Sequence, residues 1–175
     1  KSTAELLSRT GLGIEGYSDD SPTHRPVVDI PGVTIKMIRP QDMPLQVANG
    51  NFDLAVTGED WLLDQLYRFP SSPLEKVLKL GFAKVNIVAV VHNDFPADDI
   101  RELRDIVVKG ASPQLRVASE YVNIADKYAR DNRLAGCRII PTWGASEAFL
   151  PEDADLLIEN TETGATLRKN NLKII

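Results

Sequence analysis

Short runs of β-branched residues alternate with helically spaced apolar residues along almost all of this 175-residue chain, and that alternation most narrows the folds open to it. Strand patterns fall at 27–30, 33–38, 54–56, 85–91, 115–118, 138–140, 156–158 and 173–175. Helix patterns fall between them at 3–9, 43–48, 60–67, 74–80, 99–107, 122–132 and 166–170. Strands separated by helices predict an α/β fold with parallel or mixed sheets, because parallel neighbours need a crossover to join them. One short sequence recurs: Asp53-Leu54-Ala55-Val56-Thr57-Gly58 early, and Asp155-Leu156-Leu157-Ile158 leading to Thr163-Gly164 late. An acidic residue, a buried strand and a Thr-Gly loop in both places predict two similar lobes, each presenting a loop at the C-terminal end of a strand. The boundary falls at 81–84, followed by an apolar run at 85–91 long enough to pass from one lobe into the other and act as a hinge.

Composition excludes several classes. Acidic residues outnumber basic ones, 25 to 20, for a net charge of −5, so nothing draws the chain to nucleic acid or to an anionic membrane. No apolar run approaches the roughly 20 residues that span a bilayer. The lone Cys137 has no disulfide partner within the chain and no activating neighbour in sequence, which makes it a small core residue. With no signal-peptide pattern at the start, a cytoplasmic setting is expected. The chain opens on a capping box, Ser2 to Glu5, almost inside a helix, which reads as sequence missing upstream. His24 and His92 lack a second spaced ligand and read as structural or surface residues. Lys127, Arg130 and Arg133 read as a solvated helix face, and Ile124, Ala125 and Tyr128 as its core-facing side.

The chemistry concentrates at 156–167. A buried strand runs into two carboxylates, Glu159 and Glu162, then into Thr161, Thr163, Gly164 and Thr166 at a helix start. Backbone amides beside hydroxyl donors suit a phosphate dianion. The carboxylates would repel that phosphate, so they make sense facing sugar hydroxyls or a Mg²⁺ ion, which together with the phosphate describe a phosphorylated ribose. A capped helix start in a polar loop is the plainer reading of the same residues.

Glu162, Thr163, Gly164, Ala165, Thr166 and Leu167, followed by Asn170 and Leu172, resemble the phosphoribosyl-binding loop of the ATP phosphoribosyltransferase family. The resemblance continues in order along the chain. Arg39-Pro40-Gln41-Asp42-Met43-Pro44 and the stretch from Gly50 to Asp60 are similar to that family's first-lobe signature. Leu80-Gly81-Phe82-Ala83-Lys84 is similar to its crossover, Arg116 to Asn123 to its second-lobe strand and helix start, and Gly144-Ala145-Ser146-Glu147 to its interlobe loop. The chain departs from the family pattern at Glu159, where Asp is usual, at Ala55 for Gly and at Val122 for Pro. The family's opening strand and closing helical tail are also missing.

The resemblance implies two α/β lobes of periplasmic-binding-protein type II character around a ligand cleft, residues 1–83 with 168–175 returning forming the first and 84–167 the second. It implies Mg²⁺-dependent phosphoribosyl transfer from phosphoribosyl pyrophosphate to N1 of ATP, the first step of histidine biosynthesis. Thr163, Gly164, Ala165 and Thr166 would hold the 5′-phosphate, with Glu159 and Glu162 near ribose and metal. Arg39, Gly58, Glu59 and Glu147 would line the cleft, Arg39 and Glu147 as the catalytic pair and Arg39 on phosphate charge. It also implies a homo-oligomer and, at this length, a short form served by a synthetase-like regulatory subunit. A non-catalytic two-lobed small-molecule receptor and an inactive paralogue serving as an interaction subunit are the rival readings.

Overall fold

The computed structural model describes residues 2–11, 13–17, 23–110 and 114–175. The chain divides into two compact units: residues 1–58 with 73–83, and residues 59–72 with 84–175.

The first unit holds helices α1 (Ser2–Arg9) and α2 (Met43–Ala48), and strands β1 (Ile14–Glu15) and β2 (Val27–Val28), which pair antiparallel. Thr57 Oγ1 donates to Pro40 O at 2.9 Å, tying the Thr-Gly stretch to the turn that opens α2. The capping-box reading at Ser2 rests on a side chain outside the described residues. Residues 33–38 and 54–56, expected as strands, carry no ladder, and Leu54 is 68% exposed. β-propensity yields a strand only against a hydrogen-bonded neighbour, and among the described residues neither run has one. The helix expected at 74–80 is likewise irregular: Val77 and Leu78 stand exposed, and seven residues without a surface to pack on do not offset the cost of helix nucleation.

The second unit is built on a mixed five-stranded sheet in the order β5 (Arg138–Pro141), β4 (Arg116–Ser119), β6 (Leu156–Thr161), β3 (Asn86–His92), β7 (Leu172–Ile174). β4 runs parallel to β5 and β6, whereas β3 runs antiparallel to β6 and β7. Around the sheet lie α3 (Glu59–Arg68), α4 (Ile100–Val108), α5 (Val122–Asp131) and the short α6 (Ala165–Lys169). Side chains alternate between the two faces with the strand period of two. Val91, Val117, Leu156 and Ile158 pack on one face with Leu103 of α4 and Ala125 and Ala129 of α5. Val90, Ala118 and Leu157 pack on the other with Leu150 and with Leu167 of α6.

Polar residues at element ends set the register. Asp99 caps α4, accepting the Arg101 and Glu102 amides at 2.7 and 2.9 Å; the Glu102 amide leads the causes that hold its carboxyl below the ordinary value. Asp64 of α3 caps α5 from outside, accepting the Asn123 and Ile124 amides at 2.9 Å each. Asp155 holds β6 to β4 by accepting the Arg116 amide at 2.8 Å and its guanidinium at 2.9 and 3.2 Å.

Three expectations are corrected here. Residues 168–175 do not return to the first unit, because β7 pairs with β3 in the second. The run at 85–91 does not pass between units; β3 is an interior strand of the second sheet. The recurrence of Asp53–Gly58 and 155–164 is one of sequence alone, since 156–161 forms a strand and 54–56 does not.

Candidate active site

β4 and β6 are parallel neighbours, so their C-terminal ends lie side by side, and in α/β sheets the crevice outside those ends is where ligands sit. A cavity of about 440 Å³ opens there. β6 and the loop after it supply Glu159, Asn160, Thr161, Glu162 and Thr163; α6 supplies Ala165, Thr166 and Leu167; the turn after β5 supplies Ala145, Ser146 and Glu147; Glu120 follows β4.

Hydrogen bonds across strand ends shape the walls. Buried Ser119 donates to Ile158 O at 2.7 Å and accepts the Tyr121 amide at 2.9 Å, joining β4 to β6 at the mouth. Buried Thr142 donates from its hydroxyl to Ser146 Oγ at 3.1 Å, and the Gly144 amide donates to Glu120 Oε1. Between them the backbone turns through the left-handed region at Gly144 (φ 90°) and Ala145 (φ 49°). A left-handed alanine is strained, and it stands on a wall of the cavity, where such strain is characteristically kept.

Four carboxylates, Glu120, Glu147, Glu159 and Glu162, line one cavity. Glu159 is half-buried, and burial pushes its carboxyl above the ordinary value, opposed by hydrogen bonds from the Asn160 amide and from Ser146 and reinforced by Glu120 and Glu147. A carboxyl whose folded pKa is raised binds its proton more tightly when folded. Its stabilising contribution is therefore full below pH 4.5, its ordinary value, and is lost as pH rises through the raised one. Glu159→Gln should accordingly gain stability relative to the parent as pH rises from about 4 to 7. Thermal denaturation across that range checks this, and parallel curves for the two proteins would refute it.

The loop amides are less open than the sequence suggests. Gly164 N–H donates to Thr161 Oγ1 at 2.8 Å and Ala165 N–H to Thr163 Oγ1 at 3.4 Å, so two amides assigned to a phosphate carry internal acceptors. Gly164 is left-handed at φ 70° and caps α6. With five residues α6 has little dipole to offer, so attraction for an anion falls to amides and hydroxyls.

Of the site residues expected from sequence, Glu147, Glu159, Glu162, Thr163, Ala165 and Thr166 line the cavity and Gly164 lies between two of them. Glu59 opens α3 of the second unit. Arg39 and Gly58 belong to the first unit, where Arg39 pairs with Asp42 at 2.9 Å. Thr161, expected among the hydroxyls of the loop, lines the cavity as well. The sequence assigned no role to Glu120 or Asn160; the neighbouring parallel ends of β4 and β6 were the signal, and they require the strand order. Cys137 is half-buried beside the core with its thiol pushed up by burial, which suits packing rather than nucleophilic attack. His92 accepts the Asp94 amide at 3.3 Å and contacts Asn171, a structural arrangement. Lys127 and Arg130 pair along α5 with Asp131 and Asp126, as a solvated face does.

Comparison with known proteins agrees on one family. The model of the HisG family, ATP phosphoribosyltransferase, matches residues 39–175. The ATP phosphoribosyltransferase of Chlorobaculum parvum is 31% identical over 179 residues, covering 99% of this chain and 55% of that protein. That of Thermodesulfovibrio yellowstonii is 28% identical over 178 residues, covering 100% and 56%. The chain thus spans about half the length of the curated relatives it matches. Among solved structures, the ATP phosphoribosyl transferase (HisG:HisZ) complex from Thermotoga maritima superposes with a TM-score of 0.71 at 23% identity, over 99% of this chain and 75% of that one, a likeness of fold.

Proposed function

This chain belongs to the ATP phosphoribosyltransferase family, and from that premise we propose that its cavity binds the phosphoribosyl group of phosphoribosyl pyrophosphate for transfer to N1 of ATP. The observation that carries the reading is one juxtaposition: a Thr-Gly-Ala-Thr turn after β6 borders a polar cavity ringed by carboxylates. Hydroxyls and amides suit the 5′-phosphate, while carboxylates suit groups that donate to them. A cavity of about 440 Å³ is also of a size that encloses a small ligand.

In this reading Thr163, Gly164, Ala165 and Thr166 hold the phosphate, and the Thr163 hydroxyl at 3.4 Å from the Ala165 amide is a weak placeholder that a phosphate oxygen displaces. Glu159 and Glu162 orient the ribose. Glu147 belongs to the same cavity, and Arg39, Gly58 and Glu59 are the further residues that this reading assigns to substrate, Arg39 to phosphate charge. The two-lobed periplasmic-binding-protein arrangement around a cleft is part of this proposal.

Adenine N1 carries a lone pair, so the transfer needs no strong general base. N1 bonds to C1′ of the ribose as the C1′–oxygen bond to pyrophosphate breaks, and the bonding pair leaves with pyrophosphate. The protein's task is to hold two anionic substrates in line and to exclude water. For Mg²⁺, no described group of three His, Cys, Asp or Glu forms a cage. Mg²⁺ typically takes only one or two protein carboxylates, so one or two of Glu120, Glu147, Glu159 and Glu162 would hold it. It would supply charge neutralisation to the leaving pyrophosphate.

The T. maritima neighbour is a HisG:HisZ complex, and a regulatory subunit of that kind, together with self-association and a cytoplasmic location, belongs to the proposal. Absorbance of the adduct, followed with ATP, phosphoribosyl pyrophosphate and Mg²⁺, with and without a synthetase-like partner, tests it. Product that requires both substrates is expected. No turnover under any partner condition, with tight binding of a free amino acid, would instead identify a receptor.

A further inference from the structure

The Gly-Glu-Asp sequence at 58–60 places Asp60 in the first turn of α3, away from the residues lining the cavity. Its carboxylate nonetheless governs a group on the cavity wall. Asp60 Oδ1 accepts the Trp61 amide at 2.9 Å, and Asp60 Oδ2 accepts the Tyr121 hydroxyl at 2.9 Å. Tyr121 is 1% exposed, and its ring stacks on Trp61 with centroids 4.1 Å apart, so the hydroxyl has a fixed position. The same oxygen lies 2.8 Å from Asn160 Nδ2.

The direction of these bonds follows from donor and acceptor chemistry alone. A carboxylate only accepts, so the phenol must spend its single proton on Asp60. Its oxygen then has only lone pairs for Asn160, which must present its N–H₂ end. Burial and the Asp60 charge both push the phenol up, so it remains a donor. Asn160 Oδ1 is therefore turned from Tyr121, and no hydrogen bond engages it within the described residues. On β6, Asn160 faces the opposite side of the strand from Glu159, and both line the cavity.

We propose that Asp60 and Tyr121 are positioning residues that lock the amide of Asn160 with its carbonyl oxygen as an acceptor, making Asn160 a specificity-determining contact for a sugar hydroxyl at a point separate from Glu159. This rests on the phosphoribosyl reading of the cavity and adds to it the identity of a hydroxyl-reading residue. An acceptor oxygen there selects against a phosphate oxygen, so Asn160 reads the sugar and not the anion.

The test is calorimetric titration of the full chain with ribose 5-phosphate, its 2-deoxy and 3-deoxy analogues, and inorganic phosphate. The parent should bind ribose 5-phosphate about tenfold more tightly than one of the deoxy analogues, the fold-change of one neutral hydrogen bond. Tyr121→Phe keeps the ring stack and removes the lock. It should reduce that discrimination to about twofold or less while inorganic phosphate affinity stays within twofold. Asp60→Asn, which can donate as well as accept, should cause a partial loss and serves if Tyr121→Phe melts early. A parent that binds ribose 5-phosphate no better than inorganic phosphate would sink the phosphoribosyl reading. A parent that discriminates, with both variants retaining full discrimination, would overturn this inference alone.

Discussion

Gly164→Asp should weaken phosphoribosyl pyrophosphate binding by about 1,000-fold relative to Gly164→Asn, with turnover falling in step. The two side chains have the same shape, and Asn and Asp both tolerate the left-handed conformation that Gly164 adopts at φ 70°. Either added Cβ meets Arg168 Nη1 at 3.1 Å, the far end of a flexible side chain that can move aside. What remains is the charge. A carboxylate about 4 Å from a phosphate oxygen at an effective dielectric of about 20 costs about 4 kcal/mol, which is roughly three decades of affinity. Gly164→Asn itself should bind within a few-fold of the parent, because the roughly 1 kcal/mol of left-handed strain is already present in the free chain and falls on folding stability instead. Titration of both variants reads the difference. Equal affinity in the two would mean that no anion sits at this turn.

Leu157→Ala should destabilise the second unit by about 2–5 kcal/mol and lower its melting temperature by roughly 5–15 °C. Leu157 is fully buried on β6, which lies between β4 and β3 in the middle of the sheet. It packs with Val90, Ala118, Leu150, Leu167 and Leu172, so truncation opens a cavity that strands on both sides prevent from collapsing. Ile174→Ala, on a residue 52% exposed at the edge strand β7, should change stability by less than about 0.5 kcal/mol. Thermal or denaturant unfolding separates them, and a Leu157→Ala cost below about 1 kcal/mol would contradict the central placement of β6.

The second unit was legible because its elements carry their own punctuation. Val122 to Asn132 shows a clean helical period, and 156–158 is apolar without interruption, as suits a strand covered on both faces. The runs at 33–38 and 54–56 look equally strand-like, yet strand formation depends on a neighbour that local sequence cannot reveal. The same limit explains where 168–175 goes. The strand pattern at 173–175 is visible in sequence, but its pairing with β3 is a property of topology.

At the site, the Thr-Gly-Ala-Thr turn announced itself through unusual residue types at a strand end. Asn160 did not, because an isolated amide has no sequence signature and gains meaning only from Tyr121, 39 positions away, and Asp60, 61 positions before that. The capture of Gly164 and Ala165 amides by threonine hydroxyls was also invisible, since spacing places hydroxyls near amides without saying which bonds form.

In the proposed function the turn at 163–166 grips the 5′-phosphate of a phosphoribosyl group. A crystal structure of the chain grown with phosphoribosyl pyrophosphate and Mg²⁺ tests that most directly. A phosphate is expected within hydrogen-bonding distance of the amides and hydroxyls from Thr163 to Thr166, with the ribose toward Glu159 and Asn160. Ligand density elsewhere on the chain, with the turn still closed by Thr161 and Thr163, would contradict it.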